Sequence, residues 1–431
     1  MAESLESIPM GKPTTKFFWW SYIVCAAIMS AFTIFALLRP AVFAAGGYSG
    51  PAHWREDTPA GIRFSGDSYR YISGGEQLAA GRGTAGLTRS YIGYIAIVAL
   101  SIKSGLGLSG VVLAQVLAGL LGLYVLMRIA WHGSGWRLAL LCGGIYAGNP
   151  EFAFWHCFIM TESLYINAVC VAMFLCLWAR QHAKTTALAA ASATARPWRQ
   201  APAFAGVLAL LFLMALIRPN GWTLPPIALL FWLFSATWPL RVRLLAAVGV
   251  CLVFVIIALS GSNFRKRIEQ EGPFSKLYSG EVVWQEDLWR VAMPDQGQYD
   301  ATLGGAIQYV VRHPLACGWL ALKRVGVLFL RVRPGYSLAH NVLLIAIYLP
   351  LLLLAGAGAG MSWKEAASQL AIMIILGHAL IVALTFNDND GRFTLYFTPQ
   401  LGFLAAVPLL ALWRQAEKRL RAKRLVLPQE A

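Results

Sequence analysis

Long apolar runs at residues 17–38, 111–127, 163–178, 221–234, 244–260, 341–354 and 369–385 constrain this chain more than any other feature. Each approaches or exceeds the roughly 20 residues that cross about 30 Å of hydrocarbon. Backbone polar groups in lipid find no water, so only helices or closed barrels satisfy them, and runs of this length dictate helices. The bulk composition agrees, with a mean hydropathy of +0.59 and only 13% charged residues. The expected fold class is therefore all-α, a polytopic membrane helix bundle. The first run follows Lys12 and Lys16 and is too long for a cleaved signal peptide, so it reads as an uncleaved anchor.

Charge sets the expected topology. The net charge of +16 comes from basic residues at the ends of the apolar runs, as the positive-inside rule requires, and no nucleic-acid partner is implied. Lys12/Lys16, Arg128/Arg137, Arg180/Lys184/Arg196/Arg199, Arg241/Arg243 and a last group from Arg414 to Arg424 follow alternate crossings. Both termini are thus expected in the cytoplasm, with an even number of spans, about ten. Apart from the terminal acids and Glu365, every Asp and Glu then falls on the outer side, so carboxylate chemistry is expected to be extracytoplasmic. The apolar stretch 91–102 is too short to cross, and 306–333 is interrupted by Arg312, Lys323, Arg324, Arg331 and Arg333. Both read as interfacial helices. The layout is one membrane domain over 1–431, with extracytoplasmic loops at 39–109 and 261–337, a linker at 185–199 and a basic cytoplasmic tail at 414–431. No internal repeat is evident.

Four short stretches could carry chemistry. "GDSYRYISGGEQLAAGRG" offers Asp67, Tyr69, Arg70, Tyr71, Glu76 and Arg82. A helix from Asp67 puts Asp67, Arg70 and Tyr71 on one face at i, i+3 and i+4. Asp67 then serves either as a helix cap or as a general base. "PEFAFWHCFIMTESLY" sets Glu151, His156 and Glu162 at a membrane edge, where an acid tends to face protein or water; His156 beside Trp155 reads more simply as interfacial packing. "LIRPNGW" breaks the chain at Arg218, and "NDNDGRFTLYFTP" brings Asp388, Asp390 and Arg392 to the outer end of the last span. Arginine there either snorkels or presents its fixed fork of donors to a phosphate. Asp388 and Asp390 lack the glutamate that would close a calcium loop. The seven cysteines have no ligand-like spacing, so neither a zinc site nor a disulfide framework is implied.

Taken in order along the chain, these stretches resemble the motifs of the GT-C superfamily of polyprenyl-phosphate-sugar-dependent glycosyltransferases, which includes protein mannosyltransferases and the bacterial transferases that add aminoarabinose to lipid A. The correspondence runs through "GDSYRYISGG", "TESLY", "IRPNG", "VRHPLACGWLALKR" and "GRFTLYFTPQ". It departs from the family in having Asp67-Ser68 where a paired Asp-Glu is common. The chain also has no large soluble domain after its last span, which favours a compact monosaccharide transferase over an oligosaccharyltransferase. The resemblance implies a sugar donor on a polyprenyl phosphate, a glycolipid, glycan or protein acceptor, and a bacterial inner membrane setting among membrane lipids. It casts Asp67 as catalytic base with Glu162 beside it. Lys323, Arg324, Arg392 and Arg218 would grip the departing phosphate, and Arg70, Tyr69, Tyr71, Glu76, Arg82 and His156 would position the acceptor or the loop. It requires no cofactor and no metal ligand set, though a divalent cation is compatible. The rival class, a flippase or transporter of the same lipid, should show paired repeats or charges near the midplane of several spans.

Overall fold

The computed structural model describes residues 15–39, 61–84, 86–189, 201–235, 241, 244–245, 248, 273–284, 289–295, 297–300, 302–333, 335–388 and 390–426. The helices are, in chain order, α1 Thr15–Leu38, α2 Ser68–Ala79, α3 Ile92–Lys103, α4 Gly107–Ser134, α5 Trp136–Ala147, α6 Pro150–His156, α7 Glu162–Ala189, α8 Ala201–Ala215, α9 Leu224–Ser235, α10 Pro273–Tyr278, α11 Leu303–Arg312, α12 Pro314–Leu330, α13 Leu338–Ser362, α14 Ala366–Leu384, α15 Arg392–Leu395 and α16 Thr398–Val426. Among the described residues the only β pairing is two isolated parallel bridges, Arg63 with Phe158 and Val283 with Asn387. Both lie beside the site described below.

The chain is an all-α polytopic membrane bundle. Five helices among the described residues, Thr15–Leu38, Gly107–Ser134, Glu162–His182, Leu338–Ser362 and Ala366–Leu384, are long and apolar enough to cross a bilayer. They coincide with five of the runs read from the sequence. The run 221–234 behaves differently. Pro219 lacks an N–H and fixes φ, so the chain turns through a short 3₁₀ segment, Pro219–Thr223, before the 12-residue α9 begins. At 1.5 Å per residue the described part of α9 is about 18 Å long, and residues 236–240 lie outside the described residues. Most of the expected span 244–260, much of the linker 185–199 and parts of both outer loops lie outside the described residues.

The stretch 306–333 forms two helices rather than one surface piece, because Pro314 starts a new helix at its first position. α12 buries Leu320, Arg324 and Leu328 and exposes Leu315, Trp319 and Leu322. It packs against α14, one of the crossing helices. Ahead of it, Leu277, Tyr278, Val282, Val283, Val291, Met293 and Tyr309 close a small apolar core of their own. α2 lies on α3 at close range, and Gly74 and Gly75 permit it. A Cβ on Gly75 would stand 2.5 Å from Val98 Cγ1, and one on Gly74 would stand 2.6 Å from Thr88 Cγ2.

Candidate active site

Asp67 owes its place to the chain on either side of it. The Arg63 N–H donates to Cys157 O (2.9 Å) and the Ile159 N–H donates to Arg63 O (3.0 Å), pinning the first outer loop to the α6–α7 connection. The buried Arg63 guanidinium donates to Ala36 O at the end of α1 and stacks 4.8 Å from the Phe154 ring centroid. Ser68 Oγ then donates to Ile159 O (2.9 Å) and accepts from the Ser65 N–H (2.8 Å). Asp67 occupies the N-cap position of α2, yet its side chain makes no cap hydrogen bond. Of the two alternatives left open by the sequence, capping is therefore not what this carboxylate does.

It faces arginines instead. Arg392 Nη1 donates to Asp67 Oδ2 at 3.2 Å and also to Glu162 Oε1 at 3.2 Å. Arg70 Nη2 lies 3.8 Å from the other oxygen, Asp67 Oδ1, too long for a hydrogen bond. The Asp67 side chain keeps 31% of its surface exposed, whereas Glu162 keeps none. Glu162 opens α7, and Arg218 Nη1 donates to its Oε1 (2.6 Å) and to Thr161 Oγ1 (2.5 Å). Arg218 stands on extended backbone just before Pro219, with its guanidinium 4.9 Å from the Tyr396 ring centroid. Burial disfavours the Arg218 and Arg392 charges, but Glu162 and its neighbours more than offset it, so both pKa values lie above the usual arginine range.

Arg392 is held by the turn that precedes it. Gly391 takes φ +70°, a left-handed conformation that suits glycine. The Asp388 carboxylate accepts the N–H of Arg392 (2.6 Å) and of Phe393 (3.3 Å). A second pair, with Arg331 buried and Glu151 partly exposed, lies alongside: Arg331 Nη1 donates to Glu151 Oε2 and to Tyr348 OH, and Tyr348 OH donates to Glu151 Oε2 (2.9 Å). A Cβ on Gly391 would come within 3.1 Å of the Arg331 guanidinium, so this pair abuts the same turn.

Asp67, Glu162, Arg218 and Arg392, drawn from four distant stretches, are thus brought together. The remaining sequence candidates are placed elsewhere or only at the margin. Arg324, expected to grip phosphate, is fully buried and spends its guanidinium on Glu281 O (2.8 Å), Ala383 O (3.2 Å) and Lys276 O (3.0 Å). Arg324 therefore ties backbone segments together instead of gripping phosphate: each of its three nitrogens donates to a carbonyl, and the side chain is fully buried. Lys323 lies on the exposed face of α12, 5.4 Å from the Trp319 ring centroid, and touches none of the four.

His156 is buried against Thr33 (Nδ1 to Oγ1, 3.4 Å) and over Gly119, so the packing interpretation holds in place of acceptor positioning. Tyr71 is buried edge-on between Tyr91 and Tyr94, each 5.1 Å away, close enough to the site to feel the charges of Arg218, Glu162 and Asp67. Arg70 remains beside Asp67, Tyr69 is half exposed, and Glu76 and Arg82 are exposed further along α2. The sequence presents Asp388 only in an incomplete calcium loop and Arg331 only as a charge interrupting an apolar stretch, and assigns neither a role at the site. The available signals were the Asp-x-Asp-Gly-Arg turn and a basic residue at the end of an apolar stretch, where burial demands a partner.

Among the described residues no three His, Cys, Asp or Glu side chains gather to hold a metal ion. The carboxylates of the site face guanidinium groups, so its donor set does not fit a cation.

No protein-family model and no curated protein matches the sequence. In three dimensions the chain is similar to the archaeal oligosaccharyltransferase AglB from Archaeoglobus fulgidus, solved in complex with an inhibitory peptide and a dolichol-phosphate. The TM-score is 0.51 at 14% identity, and the match covers 98% of this chain and 53% of that one. This chain spans about half the length of that relative. What the two share is the fold.

Proposed function

We propose that the protein is a GT-C glycosyltransferase that moves a sugar from a polyprenyl-phosphate donor to a hydroxyl of a glycolipid, glycan or protein at the extracytoplasmic face. One observation carries this reading: Arg392 joins a partly exposed carboxylate, Asp67, to a buried one, Glu162, which Arg218 holds from the other side. Asp67 Oδ2 is fixed by Arg392, while Oδ1 has no hydrogen bond to Arg70 and is open to an incoming hydroxyl. Asp67 Oδ1 takes the acceptor proton as the acceptor oxygen attacks the anomeric carbon. The bond from that carbon to the phosphate oxygen breaks, and its electron pair leaves with the polyprenyl phosphate. The new charge on that phosphate is met by Arg392 and Arg218, fixed donors that need no reorganisation as it develops. Attack opposite the leaving group inverts the anomeric centre. Glu162 keeps the two guanidinium groups side by side.

The setting we propose is a bacterial inner membrane with both termini cytoplasmic, supported by the alternation of basic clusters. The test is incubation of the purified protein in detergent with a polyprenyl-phosphate sugar. Release of free polyprenyl phosphate, abolished in Asp67→Asn, is the expected result. Lipid translocation in vesicles without release favours a flippase and ends the transferase reading.

A further inference from the structure

We infer that Asp388 is a positioning residue that sets the reach of Arg392 to Asp67 and Glu162. This deepens the reading above and rests on it. Asp388 is buried, and its carboxylate acts on both ends of the Arg392 residue. Oδ2 accepts the Arg392 main-chain N–H at 2.6 Å and lies 3.8 Å from the side-chain Nε. Oδ1 accepts the Phe393 N–H and faces Arg333 Nη2 at 3.5 Å. The long arginine side chain is thereby fixed at its root by a hydrogen bond and has the Asp388 charge 3.8 Å from its Nε, leaving Nη1 to span the two carboxylates.

The turn itself is anchored to the small second-loop core. Asn387 donates its N–H to Val282 O (3.0 Å) and accepts the Trp284 N–H (2.8 Å), and its side chain donates to Arg324 O (2.6 Å). Arg333 Nε donates to Asp388 O (2.9 Å), and Thr394 Oγ1 donates to Leu328 O (2.6 Å). The buried guanidinium of Arg324, unavailable to a ligand, acquires a purpose here: it builds the platform on which the 387–392 turn rests. Asp388 touches neither Asp67 nor Glu162 and acts only through Arg392.

The test uses Asp388→Asn, which keeps an oxygen for the backbone N–H groups and loses the charge facing Arg333 and Arg392. Because a lone Arg333 could destabilise the chain, Asp388→Asn/Arg333→Gln, which removes both members of the buried pair, serves as the second variant. In the polyprenyl phosphate release assay, kcat is expected to fall about 10²-fold, the scale of a misplaced catalytic group, with donor KM unchanged. Independently of activity, the shifts in Tm from Asp388→Asn and Glu162→Gln are expected to be non-additive in a double-mutant cycle, since both act on one guanidinium. Strictly additive shifts, or an unchanged kcat in both variants, overturn the positioning role. A wild-type chain that releases no polyprenyl phosphate instead ends the transferase reading, and the stability cycle still decides the case of Asp388.

Discussion

The Nη1 nitrogen of Arg392 stands 3.2 Å from Oε1 of Glu162, a residue 230 positions earlier in the chain. Glu162 Oε1 is also the acceptor for Arg218 at 2.6 Å. One fully buried carboxylate oxygen therefore sits between two guanidinium groups, and the Thr161 hydroxyl adds a longer 3.4 Å bond to the other oxygen. Such an arrangement has unequal consequences for the acids around it.

Replacing Glu162 by Ala leaves two enclosed arginines without their shared counter-charge. Loss of one partner of a buried pair costs about 3–5 kcal/mol. A marked drop in thermal unfolding temperature in detergent is expected for Glu162→Ala, with a smaller drop for Glu162→Gln, which keeps an acceptor oxygen in place.

Asp67→Asn should behave in the opposite manner. The side chain is about a third exposed, and exposed ion pairs contribute about 0–1 kcal/mol. Loss of a general base lowers the rate about 10²–10⁴-fold. Turnover should collapse while unfolding temperature and protein yield stay near wild type; normal turnover in this variant would remove Asp67 from the chemistry.

The glycine pair in "YISGGEQ" is predicted to matter through distance. A side chain at Gly75 meets Val98 Cγ1 at 2.5 Å and Val98 Cβ at 2.9 Å, and overpacking of this kind costs about 1–3 kcal/mol. Gly75→Leu should push α2 away from α3, lower the unfolding temperature and cut turnover by displacing Asp67 at the start of α2. A variant with both quantities unchanged would show that α2 is not fixed by this contact.

Tyr336 gives an alkaline signature. Burial pushes its hydroxyl up to about 12 from an ordinary 10.0, against the pull of Arg331 and Arg333, and the hydroxyl donates to Asp390 O at 2.9 Å. The folded chain keeps a proton that the unfolded chain releases. This contribution is therefore complete below about pH 10 and is lost as pH rises towards about 12. Unfolding temperature measured from about pH 8 to about pH 11 should fall less steeply in Tyr336→Phe than in wild type.

The long apolar runs determined the fold class by themselves, because a backbone in hydrocarbon is satisfied only in a helix or a closed barrel, and runs of about 20 apolar residues dictate the helix. Motif order also brought Asp67, Glu162, Arg218 and Arg392 forward as candidates, since charged residues at the ends of membrane helices stand out against an apolar background. Only the tertiary structure decided among the rest. Arg324 and Arg392 look alike in a sequence, yet one closes on three backbone carbonyls and the other bridges two carboxylates. Asp67 could have capped its helix, and Asp388, two positions from a second aspartate, turned out to hold Arg392. The reason is physical: hydropathy and charge act along the chain and are legible there, whereas the partner of a buried charge is set by which distant segments pack within about 3 Å of it, the range of a hydrogen bond.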